Sequence, residues 1–316
     1  MNEMPKTLQQ AIIYFSDPEN CIEFVKVRRW PNGVICPTCG GSEVRFYQSV
    51  SRWECKGKHQ KRQFSVKNGT IFEDSPIGLD KWLVAMWLIV SAKNGISSYE
   101  LHRALGITQK SAWFLAHRIR LALQNGSFEK MTGQVEADET YIGAKSRFMH
   151  SNKRREKIKG TGGMSKTAVM GLLERATDTK PSRVVLKVVD AVKKADLQKP
   201  IRECVEKWSE VYTDALMSYS GLSREYTHEV IDHAVAYVRG HVHTNGLENF
   251  WSLLKRSLRG TYVNVEPFHL FRYLDEQAYR FNERKGTDSD RFLKAASTIV
   301  GRRLTYAGLT GNLLPA

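Results

Sequence analysis

The sequence predicts an α/β protein whose largest domain is a mixed β-sheet with helices packed against it, preceded by a small cysteine-containing ribbon and a helical region. Three observations lead to this prediction. Residues 134–142 alternate in polarity with the period of two expected for a strand. From there, strand-like and helix-like patterns follow in the order of three strands, a helix, two strands and a helix, which suits a mixed sheet. Upstream, cysteines recur at metal-ligand spacing.

The composition is that of a basic globular protein. Of its 316 residues 41% are hydrophobic, and 48 Lys and Arg oppose 33 Asp and Glu, for a net charge of +15. This excess attracts polyanions, nucleic acid first, although ribosomal and membrane-surface proteins can be equally basic. The longest apolar run, 82–90, is far shorter than the ~20 residues that span a bilayer, and the N-terminus lacks a signal segment. We therefore expect a bacterial cytoplasmic, nucleoid-associated protein that does not enter the membrane.

The pattern divides the chain into five parts. They are an N-terminal helical segment (1–33), a ribbon (34–72), a helical, helix-turn-helix-like region (73–130), an α/β domain (131–285) and a C-terminal tail (286–316). In the first part, Pro18 interrupts the helical pattern.

Cys36, Cys39, Cys55 and His59 are spaced like the ligands of a zinc ribbon. Two residues separate the first pair, fifteen separate Cys39 from Cys55, and three precede His59. Zinc takes four nitrogen or sulfur ligands tetrahedrally, and a closed set of this kind is structural. The alternative is three unrelated buried cysteines. The basic residues around His59 can also contact phosphates.

Two short helices around a glycine turn predict a helix-turn-helix. The first helix starts at 97–98, residues 106–108 form the turn, and the second helix covers 109–123, which would enter a DNA major groove. The polar side chains assigned to DNA contact are Gln109, Lys110, His117, Arg118 and Arg120. The alternative is an ordinary helical hairpin, and the net positive charge favours DNA.

The first strand of the α/β domain carries two carboxylates on one face. Glu136 and Asp138 alternate on this face, and their proximity is costly unless a cation neutralises them. A hydrophilic stretch, 144–166, follows with eight Lys or Arg, among them Lys153, Arg154 and Arg155. It is either a disordered surface loop or a basic arm that becomes ordered on nucleic acid.

The remaining elements bring two more carboxylates into consideration. Strands are predicted at 167–173, 183–189, 210–214 and 226–231, and helices at 195–208 and 268–285. Asp214 ends the fourth strand. A further helix starts near Thr244 or Asn245, which can cap it. Its core-facing residues are Leu247, Phe250, Leu254 and Leu258; another face carries Glu248, Ser252, Lys255 and Arg259, with Trp251 at the border. Alone, Glu248 would be an ordinary exposed residue.

Three blocks of sequence resemble the catalytic blocks of insertion-sequence transposases of the IS1595 (ISXO2-like) family. They are Val135-Glu136-Ala137-Asp138-Glu139-Thr140-Tyr141-Ile142-Gly143, Tyr212-Thr213-Asp214 and His243-Thr244-Asn245-Gly246-Leu247-Glu248-Asn249-Phe250-Trp251. The ribbon, the segments 63–66 and 69–72, and the helical region are also similar, so that the resemblance covers nearly the whole chain. It departs from the family pattern at His59, where a second cysteine pair is often found.

The resemblance implies a retroviral-integrase-like or RNase H-like domain with a DDE triad of Asp138, Asp214 and Glu248. Mg²⁺ or Mn²⁺ would bind these carboxylates, with Asp138 bridging two ions. Water would first release a 3′-hydroxyl at the element end, and that hydroxyl would then attack target DNA. The partners expected are double-stranded DNA, comprising the element's terminal inverted repeats and the target, and a second copy of the chain. The residues expected to contact DNA are Lys110, Arg118, Lys153, Arg154, Arg155, Asn245, Lys255 and Arg259.

Two other functions remain open from the sequence. One is a zinc-ribbon and helix-turn-helix DNA-binding regulator, or a domesticated transposase without activity. The other is an RNase H-like nuclease that cuts without strand transfer. Metal-dependent nicking separates the first from a transposase, and joining of a pre-cleaved 3′ end separates the second.

Overall fold

The computed structural model describes residues 3–124, 129–143, 152, 166–231 and 243–311. The helices are α1 (Leu8–Phe15), α2 (Pro18–Arg29), α3 (Leu79–Ser91), α4 (Ser98–Leu105), α5 (Gln109–Leu123), α6 (Lys194–Cys204), α7 (Asn245–Ser257), α8 (Leu270–Asn282), α9 (Asp288–Ser297) and α10 (Tyr306–Thr310). The strands are β1 (Val44–Tyr47), β2 (Arg52–Cys55), β3 (Gln63–Phe64), β4 (Gln134–Ile142), β5 (Thr167–Glu174), β6 (Arg183–Val189), β7 (Glu210–Asp214) and β8 (Thr227–Ile231). In these parts of the chain, no helix combines the length and apolar character needed to cross a membrane.

The chain forms two compact units. The first contains the residues up to Gln124 together with those from Gly286 onward, and the second contains the residues between them. The segment from 286, predicted as a separate tail, therefore belongs to the same unit as the N-terminal residues.

The first unit combines helices with a small antiparallel sheet of order β1-β2-β3. Local sequence explains how its first helices begin: Thr7 forms a capping box with Gln10 at α1, and Asp17 caps α2 just before Pro18. At the centre of the ribbon, Trp53 stacks on Phe64, and Trp30, which follows α2, packs edge-on against both rings, with all three ring centres within about 6 Å of one another.

The C-terminal segment completes the core of this first unit. Phe292 of α9 is fully buried among Phe15, Phe24 and Trp87. The backbone following α9 runs beside residues 69–71, with Ile71 N–H donating to Ile299 at 3.0 Å and Gly301 N–H donating to Gly69 at 2.9 Å. Residues more than 200 positions apart in sequence thus form one hydrophobic core.

Helices α4 and α5 form the predicted helix pair. Gly106 ends α4 with a φ of 60°, a left-handed conformation that favours glycine, and Thr108 caps α5. The predicted DNA contacts at His117, Arg118 and Arg120 are wrong, because these side chains are at most 2% exposed.

The second unit is built on a five-stranded mixed sheet of order β6-β5-β4-β7-β8. Strands β4, β5 and β6 pair antiparallel, whereas β7 is parallel to β4 and β8 is parallel to β7. The predicted mixed α/β architecture is confirmed. Helix α6 ends earlier than predicted, at Cys204, because Val205 leaves it to bridge with Met131.

Helices cover both faces of this sheet. On one face, Leu197 and Ile201 of α6 pack with Val135 and Ala137 of β4. On the other face, α7 and α8 pack on β5 and β6, and the predicted core positions of α7 are all buried. Since side chains alternate along β4, Glu136 and Asp138 point to the α7 side.

Candidate active site and zinc centre

The ribbon brings the four predicted zinc ligands together. The ligand atoms of Cys36, Cys39, Cys55 and His59 all lie within 4.8 Å of one another. Sγ of Cys36 is 3.5 Å from Nε2 of His59, and Sγ of Cys39 is 3.6 Å from Sγ of Cys55. Zinc–sulfur bonds of about 2.3 Å at tetrahedral angles separate two ligand sulfurs by about 3.8 Å, so the four side chains fit a zinc ion.

The backbone of the ribbon favours thiolate at this cluster. Burial raises the pKa of Cys36, but backbone N–H groups of Cys39 and Thr38 outweigh it and lower the pKa to about 6. Gly57 N–H donates to Sγ of Cys55 at 3.2 Å and so acts to lower the pKa of Cys55, but burial and the neighbouring Cys39 and Cys36 outweigh it and raise that pKa. Because zinc binds thiolate rather than thiol, these donors prepare the cluster for the metal.

In the second unit, the pairing of β4 with β7 brings Asp138 near Asp214. Strands β4 and β7 pair in parallel, and their last paired residues are Glu136 and Tyr212. Asp138 and Asp214 each lie two residues beyond these partners; burial raises the pKa of Asp138, and the negative charge of Asp214 adds to the rise. Two carboxylates distant in sequence are therefore neighbours, one within β4 and one at the end of β7.

The turn after β7 is tied back to β4. Leu216 N–H donates to Oδ1 of Asp214 at 3.2 Å, and the hydroxyl of Tyr219 donates to Oε2 of Glu139 at 2.7 Å. Burial raises the pKa of Glu139 to about 7, with Asp214 and Asp138 adding to the rise against the Tyr219 hydrogen bond. Glu139 is therefore a further carboxylate that interacts electrostatically with this pair, although it points to the opposite face of β4 from Asp138, and it was not assigned to the site from the sequence.

Helix α7 is anchored to β4 through a buried ion pair. Glu136, 1% exposed, accepts a hydrogen bond from Leu247 N–H at 3.0 Å and another from Nε of Arg175 at 2.8 Å. Arg175 also donates to the carbonyl of His243 at 2.7 Å. The cation needed beside Glu136 is thus Arg175, aided by the positive end of the helix. Of the two residues predicted to cap this helix, Thr244 is at the N-cap position, but its side chain does not make the expected capping bond.

This anchor brings Glu248, in the first turn of α7, to the two aspartates. Burial raises the pKa of Asp138 to about 6, and the negative charges of Asp214 and Glu248 add to the rise, while the Trp251 hydrogen bond opposes it. The charges of both other predicted triad carboxylates therefore reach Asp138. They are more widely spaced than the zinc ligands, since the Cys/His group is the only set of three or more such residues, in the parts of the chain described, whose ligand atoms all come within 4.8 Å.

Cations follow the carboxylates along α7. Burial lowers the pKa of Lys255, and the nearby charges of Arg259 and Lys166 lower it further, against the attraction of Asp138. Lys255 is half-buried on the face of α7 that carries Glu248, and Arg259 is exposed in the π-helical turn, Leu258–Tyr262, that follows the helix. A polyanion can therefore meet positive charge directly beside the acidic group.

The other residues assigned to DNA have different surroundings. Lys110 is exposed, with its Nζ 4.9 Å from the ring centre of Tyr306. Asn245 is the half-buried first residue of α7. Arg118 is a correction: its guanidinium is buried beside Trp82 and Phe114 and donates to a backbone carbonyl, so that it is not a surface cation. The predicted contacts at Lys153, Arg154 and Arg155 lie outside the described residues.

Two family models match this chain, one over each of its two units. Residues 130–282 match the ISXO2-like transposase domain, and residues 16–58 match the transposase zinc-ribbon domain of IS1595 elements. Together these segments cover more than half of the chain. The chain belongs to the IS1595 family of insertion-sequence transposases. It is also 29% identical over 245 residues to an uncharacterized protein in transposable element ISH50 of Halobacterium salinarum, with 73% of this chain and 79% of that protein covered.

Membership of this transposase family agrees with the resemblance drawn from the sequence, and the Cys/His cluster of the transposase is the structural zinc site of its ribbon. Sequence reasoning did not assign Glu139, Arg175 or Trp251 to the acidic site. For Trp251 a signal existed, since its position borders the face that carries Glu248. Arg175 follows a strand without any local pattern, and only the strand pairing brings it to Glu136.

Proposed function

We propose that this transposase cleaves DNA at element ends and joins them to target DNA, with a DDE triad of Asp138, Asp214 and Glu248 in an RNase H-like domain. The observation that supports it best is the convergence of three carboxylates from β4, β7 and α7, which raises the pKa of Asp138 through burial and mutual repulsion. The five-stranded mixed sheet with helices on both faces is compatible with this fold.

The donor set fits Mg²⁺ or Mn²⁺, because hard divalent cations prefer carboxylate oxygens and their charge offsets the repulsion among these acids. Asp138, Asp214 and Glu248 would hold the ions, which supply an activated attacking oxygen and a stabilised leaving oxygen. Lys255 on α7 and Arg259 in the turn after it bind the DNA backbone, and Asn245 contacts it at the start of the helix. Lys110 provides a further backbone contact in the first unit.

The chemistry requires two ends to be joined, and we propose that the DNA-bound form is a homodimer in which each copy acts on one end. A 3′-hydroxyl released by hydrolysis is the nucleophile of the second step. One set of carboxylates serves both steps because each is an in-line displacement at phosphorus, and no covalent protein–DNA intermediate is needed.

The test uses duplexes carrying the ends of the element that encodes the protein, with Mg²⁺ or Mn²⁺. Wild-type protein should release a 3′-hydroxyl end and join a pre-cleaved end to a second duplex. Asp138→Asn, Asp214→Asn and Glu248→Gln should each bind DNA with wild-type affinity and lose both reactions. Asp178→Asn, at an exposed position in the β5–β6 turn, is the matched control and should retain both.

Each alternative gives a different result in this assay. DNA binding without nicking in any metal would indicate a DNA-binding regulator and would refute catalysis by these carboxylates. Nicking without joining would indicate a nuclease. Unchanged nicking by all three variants would show that the triad is wrong.

A further inference from the structure

The indole of Trp251 is directed at the carboxylate of Asp138. Its Nε1–H donates to Oδ2 of Asp138 at 2.8 Å, and the side chain is 4% exposed. A hydrogen bond to a charged acceptor away from solvent is stronger than one between neutral groups, and it constrains the direction of both partners. The bond therefore joins the middle of α7 to the strand that carries the first acid of the site.

The neighbouring strand β5 leaves space for this indole. Gly171 of β5 is the register partner of Asp138 on β4. A Cβ at position 171 would lie 2.6 Å from both Cη2 and Cζ2 of Trp251, and 3.0 Å from Cδ2 of Leu247. Gly171 has no left-handed φ, so its backbone does not require glycine. Glycine is needed here because any side chain would displace the ring that reaches Asp138.

We propose that Trp251 is a positioning residue for metal binding, an inference that rests on the proposed function. Its N–H holds Oδ2 of Asp138 and so sets the orientation in which the carboxylate meets a divalent cation, while Gly171 provides the space the indole needs. Trp251 itself does not contact the metal or the DNA.

The physical reason is the rotational freedom of an aspartate. The carboxylate torsion of Asp has a broad, two-fold distribution, so that a carboxylate with no partner samples many orientations. A donor at a fixed point removes this freedom before the metal arrives. Hydrogen bonds that orient metal ligands in this way typically change metal affinity by about 10- to 100-fold. The same range is expected here.

The first experiment tests proximity without relying on activity. The zinc-loaded protein has seven tryptophans, each with an indole N–H signal in a ¹H–¹⁵N spectrum. The Trp251 signal is identified by its absence in Trp251→Phe. Substoichiometric MnCl₂ should broaden that signal before the other six, and Asp138→Asn should both shift it and prevent the broadening. Persistence of the Trp251 signal at Mn²⁺ concentrations that broaden others would overturn the proposal.

The second experiment measures affinity for Mn²⁺ by calorimetry. Trp251→Phe keeps a ring but loses the donor, and Gly171→Ala displaces the ring while keeping the indole. Each should weaken Mn²⁺ binding by about 10- to 100-fold. The control is Trp82→Phe, which also loses a buried indole hydrogen bond, to Ser75 at 3.1 Å, but in the other unit. It should bind Mn²⁺ as the wild type does.

The dependence of the cleavage rate on Mn²⁺ concentration distinguishes a positioning role for Trp251 from a purely structural one. If the indole positions Asp138, the Mn²⁺ concentration for half-maximal cleavage should rise in Trp251→Phe, and saturating Mn²⁺ should restore most of the rate. Wild-type Mn²⁺ affinity in both Trp251→Phe and Gly171→Ala would refute the inference and leave the proposed function standing. Failure of the wild-type protein to bind Mn²⁺ would refute both.

Discussion

Gly246 lies directly against the carboxylate of Glu136. A Cβ at position 246 would meet Oε2 of Glu136 at 2.8 Å and Oε1 at 3.1 Å. The small residue at the second position of α7 thus allows the helix to approach the sheet closely enough for Leu247 N–H to bond Glu136. The position of Glu248, one residue further, depends on this approach.

We therefore expect Gly246→Ala to displace the start of α7. Overpacking against a buried ion pair should lower the free energy of unfolding by about 1–3 kcal/mol. The cleavage rate should be affected more strongly than the stability, because Glu248 moves with the helix. Urea denaturation and the cleavage assay measure the two effects. Gly260→Ala is the control, since a Cβ there has nothing within 4 Å. Equal behaviour of the two variants would contradict the packing argument.

A second prediction concerns the buried pair of Glu136 and Arg175, whose side chains are 1% and 15% exposed. Arg175→Gln leaves an unpaired buried carboxylate and should cost about 3–5 kcal/mol. Adding Glu136→Gln should recover a large part of this loss, because the double variant buries no unpaired charge. Chemical denaturation of both single variants and the double variant gives the coupling energy. Additive costs would contradict a direct interaction.

A third prediction follows from the raised pKa of Asp138. Its pKa is about 6 in the folded protein, against ~3.9 in an unfolded chain. The folded state therefore binds this proton more tightly, and stability is lost as the pH rises from about 4 through 6. Without divalent metal, Asp138→Asn should raise the melting temperature at pH 8 by on the order of 5 °C, and by little at pH 4.

The control for this prediction is Asp178→Asn, which should leave the melting temperature unchanged at both values of pH. Added Mg²⁺ should raise the melting temperature of the wild type at pH 8 but not that of Asp138→Asn, because the cation offsets the buried negative charge of Asp138, which the amide lacks. Destabilisation of the metal-free protein by Asp138→Asn at pH 8 would contradict the assigned shift.

A fourth prediction concerns His59 as the last zinc ligand. His59→Cys should retain one zinc per chain, whereas His59→Ala should lose most of it and unfold the ribbon, since structural zinc contributes directly to folding. Elemental analysis of purified protein gives the stoichiometry. Full zinc content in His59→Ala would remove His59 from the ligand set. His228→Ala, in the other unit, should have no effect on zinc.

A fifth prediction concerns DNA affinity. Lys255→Gln and Arg259→Gln should each reduce the slope of log affinity against log salt by about 1, as expected for a lost phosphate contact. Lys199→Gln, an exposed cation on α6, is the control and should leave the slope unchanged. Arg118→Gln should also leave it unchanged, because that guanidinium is buried. A salt-independent affinity in the wild type would exclude phosphate contacts as the main source of binding.

Local pattern predicted the elements of the fold well. The bounds of β4, β6 and β7 agree with those expected from the sequence, because alternation and turn residues mark the ends of strands locally. The pairing of β4 with β7 is a long-range contact with no local signal, and the meeting of Asp138 with Asp214 follows only from that register. Resemblance to a family, rather than periodicity, linked them before the structure did.

Charge alone misled the prediction for α5. Basic residues on a helix usually face solvent, yet Arg118 is held inside by aromatic rings and by the carbonyl of Glu73. Phe114 lies one turn earlier on α5, but Trp82 and Glu73 come from distant segments, so that a local rule cannot identify the buried site. Likewise, the requirement for glycine at position 171 becomes apparent only when the structure shows Trp251 packed over it.

The burial of Phe292 beside Phe15 and Phe24 has a consequence during synthesis on the ribosome. The amino-terminal residues emerge first, but their hydrophobic centre stays open until the stretch beyond Gly286 has been translated. A message with a premature stop would therefore yield a product in which this unit lacks part of its hydrophobic core.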